Sequence, residues 1–176
     1  NAGIAGGELS DIFNVNVRGP RRVDAAFLPL LDPENGRIVQ VSSGAASQCV
    51  QKCSVERRTF FGEAAQPHPW ASIEGVLDEA EALGVAQCGE VGLGVALGGY
   101  GLSKALLNCY TIHLAAEHPK LRVNACSPGM IKTDIIDQMV PWFVPSFVVG
   151  IIARNVMGAL PPDRGTVAPM KLLFGE

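Results

Sequence analysis

The chain lacks a Cys-x-x-Cys pair, a basic excess, an uninterrupted apolar run of spanning length and a glycine-rich nucleotide fingerprint, and each absence removes a class of function. Its five cysteines, at 49, 53, 88, 109 and 126, are odd in number and scattered. They signal neither a zinc knuckle nor a disulfide framework and fit reduced thiols in the cytoplasm. A net charge of −3 and a pI near 5.6 offer no field for a phosphate backbone, and Arg21-Arg22 and Arg57-Arg58 stand as isolated basic pairs, so nucleic acid is excluded as a partner. The most apolar window, Met139 to Ile152, is interrupted by Pro141 and Pro145. It falls short of the roughly 20 residues that a membrane-spanning helix requires, and reads instead as a pocket lid or core helix. Gly92, Gly94 and Gly98 suggest a nucleotide loop, but Leu97 stands where Gly-x-Gly-x-x-Gly needs its third glycine.

What is present is enough for one globular domain over residues 1–176. Hydrophobic residues make up 48% of the 176, which supports a substantial buried core. The apolar positions Ile12, Phe13, Val15, Val23, Ala26, Phe27, Leu30 and Leu31 recur at near-helical spacing across Leu9 to Leu31, with Ser10 available as N-cap. Pro33, Asn35 and Gly36 then mark a turn, Arg37 to Val41 reads as a short strand, and Ser42 to Ser47 as a small-residue loop. Residues 48–99 show no single period and read as an insertion with an acidic helical run from Ile73 to Leu83. Tyr100 to His118 predicts a second long helix, Leu121 to Ala125 a strand and Ser127-Pro128-Gly129 its terminal turn. Val148 to Leu160 predicts a helix stopped by Pro161-Pro162, and Thr166 to Phe174 a last strand. Helices alternating with short buried strands indicate an α/β fold with a parallel sheet. Ligands gather at the carboxyl ends of such strands, where Ser42-Ser43 and Ser127 to Gly129 fall.

Tyr100 and Lys104 lie one helical turn apart, so their side chains rise from one face. An ammonium beside a phenol favours phenolate and lowers a pKa that is otherwise near 10. At ~4 Å and an effective dielectric of ~20 the attraction is about 4 kcal/mol, which predicts an acid–base pair. Taken alone, Tyr-x-x-x-Lys more often means a buried ring beside a solvated amine. Likewise Ser43 alone could be a loop residue, Asn16 a locally bonded helix residue, Gly129 a turn former and Thr133 a helix N-cap. Only the ordered set argues for chemistry.

That ordered set resembles the short-chain dehydrogenase/reductase family. Asn1-Ala2-Gly3 resembles the end of its Asn-Asn-Ala-Gly element, and Phe13-Asn14-Val15-Asn16-Val17 the helix carrying its catalytic asparagine, at Asn16 rather than Asn14. Gly36 to Ser43 resembles the strand ending in the catalytic serine, Ser43. Tyr100-Gly101-Leu102-Ser103-Lys104 matches the catalytic Tyr and Lys, and Val123 to Asp134 the loop beside the nicotinamide. The long interval from Ser43 to Tyr100 is similar to the insertion of monomeric carbonyl reductases.

The resemblance implies a Rossmann-like doubly wound parallel sheet lacking its first βαβ units, with on the order of 80 residues expected before Asn1. It implies reduction of ketone or aldehyde carbonyls using NADP(H) in preference to NAD(H), without a metal. Tyr100 would donate the proton and Ser43 hold the oxygen. Lys104 would act on Tyr100 and the ribose, and Asn16 would anchor a water. Asn1, Ala2, Gly3, Tyr100, Lys104, Pro128, Gly129, Ile131 and Thr133 would contact the cofactor. The expected substrate is small and hydrophobic, under an apolar wall of Met139, Trp142, Phe143 and Val144 for which core packing is an equal account. The complete protein is expected to be monomeric. The alternative is a truncated, inactive remnant that binds another chain or nothing.

Overall fold

In the computed structural model the described residues are 3–62, 66–131 and 158–175. The first helical stretch is continuous but not uniform. It runs as α1 (Leu9–Phe13), a π-helical segment Asn14–Arg18, α2 (Gly19–Phe27) and a closing 3-10 turn Leu28–Leu30. Its start corrects the expected cap. Glu8, in extended conformation, precedes the first turn without a side-chain cap bond, and its carbonyl accepts from Ile12 N at 3.1 Å. Ser10 therefore lies inside the turn. The buried Leu9, Ile12 and Phe13 fix that register by packing.

Strand β1 (Arg37–Val41) pairs in parallel with β2 (Arg122–Cys126), Arg37 opposite Arg122 and Val41 opposite Cys126. β2 thus sits one residue later than its apolar pattern predicts. Ile38 packs against the main core and Gln40, two residues on, donates to Asp24 of α2 at 2.6 Å. Side chains alternate along a strand, so Arg37 points to the other face, where its guanidinium donates to the Leu172 carbonyl at 3.1 Å. Helices thus cover both faces of the sheet.

The helix on that second face corrects the expected last strand. Val167–Phe174 is helical (α8), after a short turn of helix α7 (Pro162–Gly165). Ala168, Pro169, Leu172 and Leu173 are its half-buried positions, a helical rather than alternating set. Pro169 could not donate to a strand ladder but is tolerated in a helix's first turn, and Gly175, at φ 78°, stops the helix in the left-handed region. Pro162 opens α7 rather than terminating a helix. Of the helix expected over 148–160, residues 148–157 lie outside the described residues, as does the whole apolar window from Met139 to Ile152 with its expected wall of Met139, Trp142, Phe143 and Val144. Residues 158–160 are not helical, and Leu160 instead bridges to Ile131.

The expected Ser42–Ser47 loop is also corrected, because α3 (Gly44–Lys52) begins within it. Ser43 caps this helix, its hydroxyl accepting from Ala45 N at 3.2 Å. A small, N-cap-competent residue after a strand is a start signal, and buried Ala45, Ala46 and Cys49 supply the apolar stripe. The segment 48–99 continues with α4 (Val55–Phe61), capped by Ser54, and α5 (Trp70–Cys88), which starts three residues before its acidic run and kinks where that run ends, at Gly84 with φ 73°. Ile73, Val76, Leu77 and Ala80 form the buried face of α5. α6 (Tyr100–Glu117) is buried almost throughout its first ten residues and packs most heavily on α3 and β2.

Candidate active site

Three of the four proposed catalytic side chains are positioned by the start of α6 and its neighbours. Gly99 precedes α6 at φ 98°, and a Cβ there would meet Leu9 Cδ2 at 2.2 Å. The chain therefore enters the helix at a position only glycine fits. Gly101 is equally tight, since its Cβ would fall 2.8 Å from the Ala45 carbonyl oxygen. This contact brings α6 against the first turn of α3 and so places Tyr100 beside Ser43, whose side chain favours the ionised phenol. Ser43 thus caps α3 and stands beside the phenol.

Burial pushes the Tyr100 phenol above its ordinary range, and Ser43 pulls it partly back. The structure corrects the expectation that Lys104 lowers it. Lys104 Nζ stands 5.7 Å from the Tyr100 ring centroid and donates to the Val41 carbonyl at 2.8 Å. Burial brings its own ammonium down to about 8. Desolvation governs both groups, and each is driven toward its neutral form.

Asn16 is completely buried within the π-helical segment, a kind of irregularity that frequently occurs at functional positions. Its Oδ1 accepts from Ile4 N at 2.9 Å, and its Nδ2 donates to the Ile4 carbonyl at 2.8 Å and to Ser103 Oγ at 3.0 Å. Ser103 in turn donates to the Tyr100 carbonyl at 2.7 Å. A polar chain therefore ties Ile4, the residue after Gly3, through Asn16 to the turn carrying Tyr100. Asn14 is exposed and accepts from Arg22 at 2.9 Å, outside this chain. Sequence reasoning missed Ser103 and the Val41 carbonyl. Ser103 was signalled only by its place beside Lys104, and a backbone carbonyl leaves no residue-type signal.

The two strand ends converge: Ser42, Ser43, Cys126 and Ser127 border one open cavity of about 490 Å³. Tyr100 and Lys104 do not line it, so it adjoins the Tyr–Ser pair without enclosing it. Gly129 has φ 83° and open space around its Cα, and Ile131 is tied to Leu160. Asn1, Ala2 and Thr133 lie outside the described residues. Among the described residues no cluster of three metal-ligating side chains occurs, and no helix is long and apolar enough to cross a membrane.

The buried lysine has a testable consequence for stability. An unfolded lysine titrates at 10.5 and folded Lys104 at about 8, so between these values the folded chain holds fewer protons. Stability then rises with pH across that window, and the cost of the buried charge is fully present below pH 8, at roughly 3 kcal/mol. Lys104→Met in the complete protein should stabilise it at pH 7 by about 2 kcal/mol, after allowing about 1 kcal/mol for the lost Val41 hydrogen bond. The advantage should shrink as pH approaches 10.5. Urea unfolding of both proteins across that range measures it, and a constant difference would contradict a buried charge as its origin.

No family profile matches the chain, but individual proteins do. It is 34% identical to short-chain dehydrogenase/reductase 1 of Saponaria officinalis, over 92% of this chain and 48% of that protein. It is 32% identical to (+)-neomenthol dehydrogenase of Arabidopsis thaliana, over 90% and 50% respectively. The solved structure of salutaridine reductase from Papaver somniferum, 28% identical, superposes with a TM-score of 0.62 on 72% of this chain and 43% of its own. The chain spans about half the length of the curated relatives it matches. With its parallel strand pair, helices on both faces and this likeness to a Rossmann-fold enzyme, it belongs to the short-chain dehydrogenase/reductase family of oxidoreductases.

Proposed function

We propose that the complete protein reduces the carbonyl of a small hydrophobic ketone or aldehyde, using NADPH, through Asn16, Ser43, Tyr100 and Lys104. The observation that carries this reading is the buried Tyr100 phenol standing beside Ser43 at the end of β1. A phenol raised by burial keeps its proton at neutral pH, as a proton donor to a developing alkoxide must. The donor set also suits the cofactor, because a hydroxyl pair and an amine on adjoining turns match a carbonyl oxygen and ribose hydroxyls. Nicotinamide, when bound, supplies the hydride.

The chain's own residues do the rest. Ser43 holds the carbonyl oxygen, Tyr100 delivers its proton there, and Lys104 holds ribose hydroxyls while Val41 fixes its reach. Asn16 and Ser103 hold the Tyr100 turn in register, and an Asn16-bound water returns the proton from solvent. Gly3, Pro128, Gly129 and Ile131 contact the cofactor, with Asn1, Ala2 and Thr133. The five free cysteines fit a cytoplasmic enzyme. Incubating the complete protein with NADPH and a panel of apolar ketones should give alcohol and NADP in equal amounts. No alcohol from any of them, with NADPH demonstrably bound, would favour the inactive remnant.

The same reading includes a monomeric state. α5 lies along the first helical stretch, where Arg18 meets Glu74 at 2.6 Å, Asp78 at 2.9 Å and Glu81 at 2.5 Å. Burial works against the Arg18 charge, but Glu81 and Glu74 outweigh it and raise its pKa. Trp70, under the Arg21 guanidinium at 4.4 Å, meets Tyr110 of α6 edge-on. The segment thereby covers the helical surface through which, by the resemblance, typical members form tetramers. Sedimentation should give a monomer, and Arg18→Met should cost about 1–2 kcal/mol by leaving three carboxylates facing one another. A stable tetramer would contradict the covering role of α5.

A further inference from the structure

Asn16 and Arg18 belong to one π-helical turn, Asn14–Arg18, and residues two apart on a helix face different ways. The turn is therefore gripped from two sides. On its inner side Asn16 is bonded to the N–H and carbonyl of Ile4 and to Ser103. On its outer side every nitrogen of the Arg18 guanidinium meets a carboxylate of α5: Nε meets Glu74, Nη1 meets Glu81 and Nη2 meets Asp78. These three acids are spaced i, i+4 and i+7, one residue behind the buried Ile73, Leu77 and Ala80. Like charges at that spacing repel, and a planar cation with a fork of donors can hold all three at once.

From this geometry we infer that Arg18 is a positioning residue for the reaction: α5 holds its guanidinium, and Arg18 in turn sets the π-helical turn that presents Asn16 to Ile4 and Ser103. The inference rests on the reductase reading, in which Asn16 and Ser103 keep the Tyr100 turn in register. An ordinary helical turn is fixed by its own backbone ladder. A π turn departs from that ladder, and its shape falls to the groups that hold its ends. At one end the Asn14 carbonyl accepts from Arg22 at 3.2 Å. At the other, Arg18 is anchored on α5. The segment 48–99 thereby acts on the active site without touching substrate.

Without Arg18 the three carboxylates lose their shared cation and draw away from the turn, and Asn16 can exchange its bonds to Ile4 and Ser103 for water. Lys104 is held separately, by the Val41 carbonyl. In Arg18→Met the loss should therefore fall on kcat, by about 10-fold or more, with the NADPH KM within about twofold of the parent, as a small misplacement of a reacting group predicts. Arg57→Met is the control, because the Arg57 side chain joins α4 to Glu79 of the same α5 and to the Val91 carbonyl, away from the turn.

Amide exchange at Ile4, followed by NMR in the complete protein, reads the setting of Asn16 without any assay of turnover, since Ile4 N–H donates to Asn16 Oδ1 at 2.9 Å. Arg18→Met should speed that exchange by about 10-fold or more, and Arg57→Met should leave both it and kcat near the parent's. Arg18→Lys keeps the charge without the fork and should show both changes in smaller measure, which also serves if Arg18→Met does not fold. Parental exchange at Ile4 in the folded Arg18 variants would overturn the inference. So would faster exchange with unchanged kcat, or equal acceleration in Arg57→Met, the mark of a general loosening of α5. A parent that reduces no ketone, with Ile4 still responding to Arg18 alone, would sink the reductase reading and leave the hold of Arg18 on Asn16 standing.

Discussion

Replacing Tyr100 by Phe in the complete protein is expected to lower kcat for ketone reduction by about 10²–10⁴-fold, the span that a positioned proton donor contributes. The change deletes one oxygen from a ring that is 6% exposed and leaves its packing intact. Ser103 bonds to the Tyr100 carbonyl rather than the phenol, and Lys104 holds Val41, so the polar chain and the lysine should stay in place. NADPH affinity, read by fluorescence titration, should therefore change little, which separates loss of chemistry from loss of the site. Turnover within a few-fold of the parent would remove Tyr100 from the reaction. Ser43 gives a less clean test, because its replacement would also uncap α3.

Gly94→Ala should be the most damaging single methyl group added to the described chain. An added Cβ would fall 2.1 Å from the Cys49 carbonyl oxygen and 3.1 Å from Cys53 N. Both are backbone atoms of α3 and its C-cap, so no side-chain rotation relieves the clash. The loop would have to lift, giving up the Gly94 contacts with the Cys49 and Cys53 sulfurs and weakening the burial of Leu93 and Ala96. Overpacking of this kind costs on the order of 3 kcal/mol, read as a lower urea midpoint with an unchanged slope. Gly98→Ala is the control: nothing lies within 4 Å of its Cβ, and only the positive φ of 63° is strained, costing about 1 kcal/mol. Equal losses at the two positions would show that the close approach at Gly94 is not what holds the loop.

The elements that could be read from sequence were those with a strong period and clear punctuation. Leu9–Leu30 and Tyr100–Glu117 carry long apolar stripes, and Arg37–Val41 lies between a Gly turn and a serine pair. The errors arose where one residue type serves two structures. Small residues after Val41 resemble a loop, yet Ser43 makes them a capped helix. Val167–Phe174 is apolar enough for a strand, and only the half-buried set Ala168, Pro169, Leu172 and Leu173 reveals its helical face.

At the site, spacing brought Tyr100 and Lys104 to one helix face, but it could not give their electrostatics. A pair on the surface would have shown the Coulombic effect expected of a nearby ammonium. Inside the core, desolvation dominates, and Lys104 spends its hydrogen bond on a backbone carbonyl. The π-helical turn was likewise invisible, although ordinary helical spacing from buried Ile12 and Phe13 already puts Asn16 on their face and leaves Asn14 exposed. Helix periodicity is an average and does not register a single widened turn.

The most direct test of the proposed site is a crystal structure of the complete protein with a nicotinamide nucleotide and an unreactive ketone analogue bound. The account predicts Tyr100 Oη and Ser43 Oγ both within about 3 Å of the analogue's carbonyl oxygen, with Lys104 Nζ on the ribose hydroxyls and Asn16 still bonded to Ile4 and Ser103. A carbonyl oxygen held by other groups, with Tyr100 and Ser43 still facing only each other, would contradict it.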